Sequence, residues 1–110
     1  MQPTDISRVV VPAGDRGFET LAGMLRRDLK RLDAIVHCAV HFTPLVPLRD
    51  QPLEQFLAHL RVNLAAPFAL TRACLPMLRA NGGGRIVNCS SVLGLLAMKW
   101  RGAYNASKFA

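Results

Sequence analysis

Tyr104 and Lys108 are the residues of this chain whose types and spacing most clearly indicate chemistry. They lie four residues apart, so on a helix they share one face and their side chains can touch. Ser91 lies 13 residues before Tyr104 and closes an apolar run that is typical of a buried strand. A phenol beside an ammonium, with a hydroxyl directed at the same point, is suited to moving a proton to or from a carbonyl oxygen.

Three short apolar runs predict the buried strands that would hold these side chains. They cover residues 9–11, 34–40 and 85–89. The last run ends directly before Ser90 and Ser91, which places both hydroxyls at the end of a strand. The runs do not alternate with polar residues, and this pattern is typical of a parallel sheet that is buried on both faces.

Two stretches with apolar residues at helical spacing predict amphipathic helices. They cover residues 18–30 and 53–64. We expect Asp50 to cap the second helix, with Pro52 in its first turn, where the missing N–H of proline costs least. Ala66-Pro67 predicts a break at the far end of this helix.

A further helix should follow the break, run to about Ala80 and kink at Pro76, because proline removes one backbone hydrogen bond. The last helix should begin near Gly102 and carry Tyr104 and Lys108. The order of elements is therefore strand, helix, strand, two helices, strand, helix. Such alternation favours an α/β fold with a parallel sheet and helices packed on its faces.

Length and composition indicate one small domain. The chain has 110 residues, and a hydrophobic content of 51% is ample for a core. Basic residues number 14 against 7 acidic ones, which gives a net charge of +7, but most of them are scattered. The one cluster, residues 26–31, lies at the end of a predicted helix, where cations complement the helix dipole. We therefore expect no nucleic-acid partner.

The apolar runs also bear on location and on the cysteines. The sequence contains no uninterrupted apolar run of about 18 residues, so no membrane-spanning helix is predicted. The N-terminus lacks the charged-then-apolar order of a signal peptide, and the cytoplasm is the expected location. Cys38, Cys74 and Cys89 all lie inside apolar runs. We predict three buried, reduced thiols rather than disulfides or metal ligands.

Several short motifs occur in a defined order between residue 32 and the end of the chain. They are Leu32-Asp33, Val62-Asn63-Leu64, Leu75-Pro76-Met77, Gly84-Arg-Ile-Val-Asn-Cys-Ser-Ser91 and Tyr104-x-x-x-Lys108. In this order the set resembles the short-chain dehydrogenase/reductase family. The resemblance implies a Rossmann-like, three-layer fold built on a doubly wound parallel sheet. It also implies hydride transfer between NAD or NADP and a small alcohol or ketone, in a homodimer or homotetramer.

The resemblance further implies a role for each site residue. Tyr104 would be the general acid/base, and Lys108 would favour its phenolate and hold the ribose hydroxyls beside the nicotinamide. Ser91 would hydrogen-bond the substrate carbonyl. Asn63 would hold, through its backbone carbonyl, a water molecule that links Lys108 to solvent. The cofactor-binding set would comprise Cys38, Ala39, Asn63, Tyr104 and Lys108.

Some positions depart from the family pattern. The sequence contains no glycine-rich turn of the kind that binds a pyrophosphate. Val40 stands where the family has a glycine, and Val11-Pro12 replaces an acidic residue that contacts adenine. We therefore expect residues 1–110 to form an incomplete domain that lacks the N-terminal β-α units and the C-terminal strands. Such a chain should bind dinucleotide poorly and give no turnover alone.

Non-catalytic interpretations of the same residues are open at this point. The chain could be an interaction module that pairs through the apolar stripes of its central helices. Ser90 and Ser91 could cap the following segment, and Asn63 could cap a helix C-terminus. A serine hydrolase is disfavoured, because no Gly-x-Ser-x-Gly motif surrounds either serine. No metal site is expected, since His37 and Cys38 are strand neighbours and point to opposite faces.

Overall fold

The computed structural model describes residues 15–110, which form four α-helices and two strands. In chain order these are α1 (Asp15–Asp28), β1 (Ala34–His37), α2 (Leu53–Leu60), α3 (Ala66–Ala80), β2 (Arg85–Asn88) and α4 (Gly102–Phe109). Short 3₁₀ turns at Leu48–Asp50 and Val92–Gly94 precede α2 and follow β2. The strand predicted at residues 9–11 lies outside the described part of the chain.

The two strands pair in parallel, as the alternation of elements predicted. Ala34 lies opposite Arg85, and the register continues to His37 opposite Asn88. A parallel pair needs a long crossover between its strands, and the segment through α2 and α3 provides it. The prediction of an α/β fold with a parallel sheet is confirmed.

Helix α3 covers one face of this sheet. It contacts both strands, and Thr71 on α3 is hydrogen-bonded to His37 on β1 over 2.8 Å. Successive strand residues point to opposite faces, so Val36 and Val87 lie on the other face, where they are 57% and 49% exposed. Residues 15–110 thus supply the sheet and the helix on one face of the predicted three-layer arrangement.

The core lies between α1 and α3, where small side chains allow a close approach of the helices. Ala22, Ala73 and Cys74 are almost fully buried there. The partly buried side chains packed around them are Phe18, Leu25, Leu32, Ile35 and Leu70. The apolar periodicity that predicted a helix over residues 18–30 therefore identifies the packed face of α1, although the helix ends two residues earlier.

The predicted break near Ala66-Pro67 is a π-helical turn inside one long helix. Residues Arg61–Ala65 adopt this turn between α2 and α3, and the Ala66 N–H donates to the Arg61 carbonyl five residues back. Pro67 has no N–H and so cannot donate the normal α-helical bond to the carbonyl of Asn63. The helix continues through the wider turn without this hydrogen bond.

Smaller differences from the sequence predictions occur at the helix ends. Pro52, rather than Asp50, occupies the N-cap position of α2, and no side chain caps this helix. The end of α3 agrees with its prediction, because the helix includes Pro76 and runs to Ala80. Within residues 15–110, none of the helices is both long and apolar enough to cross a membrane.

Candidate active site

Tyr104 and Lys108 stand one turn apart on α4, as their spacing predicted. The Lys108 ammonium lies 5.8 Å from the centroid of the Tyr104 ring. The same Nζ atom donates a hydrogen bond of 3.0 Å to the backbone carbonyl of Cys89, the first residue after β2. Lys108 therefore links α4 to the carboxyl end of β2.

Aromatic contacts hold the ring of Tyr104. It meets the Phe42 ring edge to face, with centroids 5.1 Å apart, and lies 6.5 Å from the ring of His59. Phe42 is itself held by Arg101, whose guanidinium carbon lies 3.9 Å from its ring centroid. Arg101 also donates to the Thr43 carbonyl over 2.6 Å. The loop after β1 is thus fixed against α4 at the tyrosine.

His59 supports this arrangement from α2. Its side chain is 1% exposed, and its Nδ1 lies 2.7 Å from the carbonyl of Gln55. A T-shaped contact joins its ring to His41, with centroids 4.7 Å apart. The histidines therefore pack the loop after β1 between α2 and α4. No sequence motif pointed to this role.

Ser91 caps the turn that follows β2. Its Oγ accepts a hydrogen bond of 3.1 Å from the Leu93 N–H. The capping interpretation of Ser91 is therefore confirmed, and the side chain is only partly buried. A cap bond uses one lone pair of the hydroxyl and leaves its proton free for another acceptor.

Gly94 brings this turn close to Lys108. A Cβ atom at position 94 would stand 2.8 Å from the Lys108 backbone oxygen and 2.7 Å from the Ser90 Oγ. Both distances are shorter than real Cβ contacts allow. The turn that carries Ser91 can therefore lie against the end of α4 only because residue 94 has no side chain.

The side-chain amide of Asn63 joins three segments of the site. Its Oδ1 accepts from the His41 N–H over 2.7 Å, and its Nδ2 donates to the His41 carbonyl over 3.1 Å. Nδ2 also donates to the Ser107 hydroxyl over 2.9 Å, and Ser107 in turn donates to the Tyr104 carbonyl over 2.8 Å. Asn63 lies within the π-helical turn and does not cap a helix C-terminus.

Strand β1 ends at His37, opposite the end of β2, rather than at the predicted Val40. The backbone of His41 takes its hydrogen bonds from the Asn63 amide instead of from a neighbouring strand. The residues between the end of β1 and His41 are exposed at the carboxyl end of the strand; they are Cys38, Ala39 and Val40. Ligands of open α/β sheets bind at this edge.

The prediction of buried cysteines is correct for Cys74 and wrong for the other two. Cys74 is fully buried under α1, whereas Cys38 and Cys89 are exposed. Each of the exposed pair follows directly after its strand, at the carboxyl end of the sheet. Their Sγ atoms lie 3.3 Å apart. This hydrogen bond to Cys89 raises the pKa of the Cys38 thiol.

A cleft of about 460 Å³ opens between the sheet, α3 and α4. Of the predicted site residues, Ala39, Asn63 and Lys108 line it, whereas Cys38, Ser91 and Tyr104 do not. Its other polar lining residues are His37, Thr71, Asn88, Ser90 and Ser107. The cleft therefore adjoins the predicted catalytic residues without enclosing them, and we do not assign the substrate to it.

Sequence reasoning missed His37 and Ser107. Burial lowers the pKa of His37, because its ring faces α3 and the Thr71 hydroxyl. Ser107 is 3% exposed and accepts from Asn63. Its place three residues after Tyr104, on the same helix face, is the signal that could have found it.

Comparison with protein families identifies the chain's relatives. The model of the short chain dehydrogenase family matches residues 14–110. The uncharacterized oxidoreductase YciK of Escherichia coli is 35% identical over 92 residues, which cover 84% of this chain and 36% of that protein. The D-beta-hydroxybutyrate dehydrogenase of Rhizobium meliloti is 38% identical over 61 residues, or 56% of this chain and 24% of that enzyme.

Solved structures show the same similarity in three dimensions. A short chain dehydrogenase from Pseudomonas syringae matches the whole chain with a TM-score of 0.86 and 35% identity, over 46% of its own length. One from Shigella flexneri, crystallised with NADP, matches 94% of this chain with a TM-score of 0.83 and 30% identity, over 43% of its length. This chain therefore spans less than half the length of the relatives it matches.

Proposed function

Because the chain belongs to the short-chain dehydrogenase family, whose curated members are oxidoreductases, we propose that it forms the catalytic part of an NAD(P)-dependent alcohol/carbonyl oxidoreductase. The relatives and the motif set support this activity for a protein that contains the segment. We propose Tyr104 as the residue that exchanges the proton with the substrate oxygen.

The observation that carries the proposal is the placement of Lys108. Its ammonium lies 5.8 Å from the Tyr104 ring centroid and is fixed by a 3.0 Å bond to the Cys89 carbonyl. Lys108 therefore stands beside the phenol-bearing face of α4 and at the carboxyl end of β2. The bond to Cys89 holds the ammonium at the edge of the sheet where ligands of open α/β folds bind.

Each of the other site residues has a role that its contacts support. Ser91 retains its hydroxyl proton for a substrate oxygen, because its cap bond uses only a lone pair. Such a donor stabilises charge that develops on the oxygen during reaction. Asn63 positions α4 through Ser107 and the loop after β1 through His41. Its backbone carbonyl lacks the α-helical donor that Pro67 cannot supply, so it is available to a water molecule near Lys108.

The residues at the carboxyl ends of the strands fit one end of a dinucleotide. Cys38 and Ala39 are exposed at the carboxyl edge of the sheet, and the Lys108 ammonium is a cationic donor beside this edge. We propose that these residues, with Asn63 and Tyr104, hold the nicotinamide and its ribose. When bound, the nicotinamide group supplies or accepts the hydride. Val40 is 51% exposed at the same edge. Its side chain narrows the space through which the cofactor would approach the sheet, whereas the glycine of the family leaves this space open.

A chimera tests this function directly. Residues 15–110 would replace the matching segment of the Shigella flexneri short chain dehydrogenase, which supplies the remaining strands. With NADPH deuterated at its transferable position and a panel of small ketones, we expect deuterium at the carbinol carbon of at least one product. A folded chimera that binds NADPH, with transfer to none of the ketones, would contradict the proposal.

An exposed apolar stripe on α2 and α3 favours a second role for the same segment. Leu53, Leu57, Leu64 and Phe68 expose between 36% and 69% of their surfaces. We propose that this stripe pairs two copies of the protein in a cytoplasmic homo-oligomer. Sedimentation of the purified chain should give a dimer that Leu64→Glu dissociates. A monomer at all concentrations would contradict pairing, whether or not the segment is catalytic.

A further inference from the structure

Cys38 and Cys89 continue the parallel register of the sheet by one position. His37 pairs with Asn88, and the Cys89 N–H then donates to the His37 carbonyl over 3.0 Å. The two cysteines are therefore opposite each other, each at the position that directly follows one of the two paired strands. Their Sγ atoms lie 3.3 Å apart and share a hydrogen bond, so both side chains point the same way.

This geometry needs little change to accept a disulfide. Adjacent strands lie about 4.7–4.9 Å apart, which falls inside the range of roughly 4.4–6.8 Å between the Cα atoms of bridged cysteines. A disulfide bond is about 2.05 Å long. The sulfurs at 3.3 Å would therefore have to approach by a little over 1 Å, which side-chain rotation can supply.

Both sulfurs are accessible to an oxidant, unlike the third cysteine. Cys38 and Cys89 are exposed, whereas Cys74 is completely buried between α1 and α3. The hydrogen bond to Cys89 raises the pKa of the Cys38 thiol, so Cys38 retains its proton to higher pH. Once one sulfur has reacted with an oxidant, the other lies within reach to attack it.

We propose that Cys38 and Cys89 form a reversible cross-strand disulfide in exchange with a small disulfide such as oxidised glutathione. One cysteine thiolate attacks the glutathione disulfide, forms a mixed disulfide and releases one glutathione thiolate. The second cysteine loses its proton and attacks the protein sulfur of that mixed disulfide, which releases the second glutathione. Two electrons pass from the cysteine pair to the glutathione disulfide, and two protons leave the cysteines.

The disulfide would join two parts of the candidate site. Cys38 lies in the segment proposed to contact the cofactor, and the carbonyl of Cys89 holds the Lys108 ammonium. Oxidation would fix the carboxyl ends of β1 and β2 to each other at this edge. Formation of the bond does not depend on the proposed oxidoreductase function; only its effect on catalysis does.

Peptide mapping of the oxidised protein tests the proposal. The purified chain would be incubated with oxidised glutathione, unfolded, alkylated and digested, with a sample oxidised in urea as the unfolded reference. We expect the native chain to lose two hydrogen atoms, to carry a linkage between Cys38 and Cys89, and to show alkylation only at Cys74. Dithiothreitol should reverse the linkage.

Two variants make the test specific. In Cys38→Ser, glutathione should remain attached to Cys89, because no resolving thiol is near. In Cys74→Ser, the linkage should form at the same rate as in the parent chain. The proposal is overturned if Cys38 and Cys89 each retain a separate glutathione. It is equally overturned if the pairing in the native chain matches the mixture formed in urea.

Discussion

The side chain of Asn63 makes three hydrogen bonds, which join the loop after β1 to α4. Its amide satisfies both the N–H and the carbonyl of His41 and donates to Ser107 on α4. The sequence motif predicted that Asn63 belongs to the site. It could not predict these partners, because they come from segments 22 and 44 residues away. Long-range pairing of this kind depends on the assembled fold.

Replacement of Asn63 should therefore destabilise the fold. Asn63→Ala removes partners from partly buried groups of His41 and Ser107, and an unsatisfied buried polar group costs about 1–3 kcal/mol. We expect the free energy of unfolding in urea to fall by about this amount. Asn63→Asp should restore only part of it, because a carboxylate accepts from His41 but cannot donate to Ser107. Unchanged stability in both variants would contradict the network.

His37 should make stability depend on pH. Burial lowers its pKa below the ordinary value of 6.5, so the unfolded chain takes up a proton at higher pH than the folded chain does. This contribution to stability is fully present above pH 6.5 and is lost as the pH falls through the lowered pKa of the folded state. The urea midpoint should fall less between about pH 7 and pH 5 in His37→Gln than in the parent. Equal slopes would rule out this role for His37.

At the scale of elements, periodicity predicted helices and strands better than it predicted where they end. The predicted strands extend to Val40 and Cys89, but the observed strands end at His37 and Asn88. In the loop after β1, the backbone of His41 is hydrogen-bonded to the side chain of Asn63, a contact that periodicity does not report. Proline at position 67 predicted an interruption correctly, but it did not predict that the helix continues through a π-helical turn.

The turn after β2 offers a direct test at this scale. Gly94→Ala would place a Cβ atom against the Lys108 backbone oxygen and the Ser90 hydroxyl. Overpacking of this kind costs about 1–3 kcal/mol, and we expect that loss of stability together with faster hydrogen exchange in α4. Gly23→Ala is the matched control, since its Cβ would meet nothing closer than 4.0 Å within α1. It should stabilise the chain by up to about 1 kcal/mol.

At the scale of the whole molecule, the order of elements was enough to predict a parallel α/β fold. The alternation of strands and helices along the chain indicates that the strands are joined by helical crossovers. The parallel pairing of β1 with β2 agrees with this. Surface exposure was less predictable. Apolar runs suggested three buried cysteines, but Cys38 and Cys89 lie just past the strand ends and are exposed. The cleft beside Lys108 also arises only when α3 and α4 meet the sheet.

The measurement that tests the central claim most directly is the activity of Tyr104→Phe in the chimera with the Shigella flexneri dehydrogenase. Phenylalanine keeps the ring that packs on Phe42 and removes only the hydroxyl that would exchange the proton. General acid/base catalysis contributes about 10²–10⁴-fold, so kcat/KM should fall by that factor in a variant chimera that remains folded. A Tyr104→Phe chimera as active as its parent would contradict the assignment of Tyr104 as the catalytic acid/base.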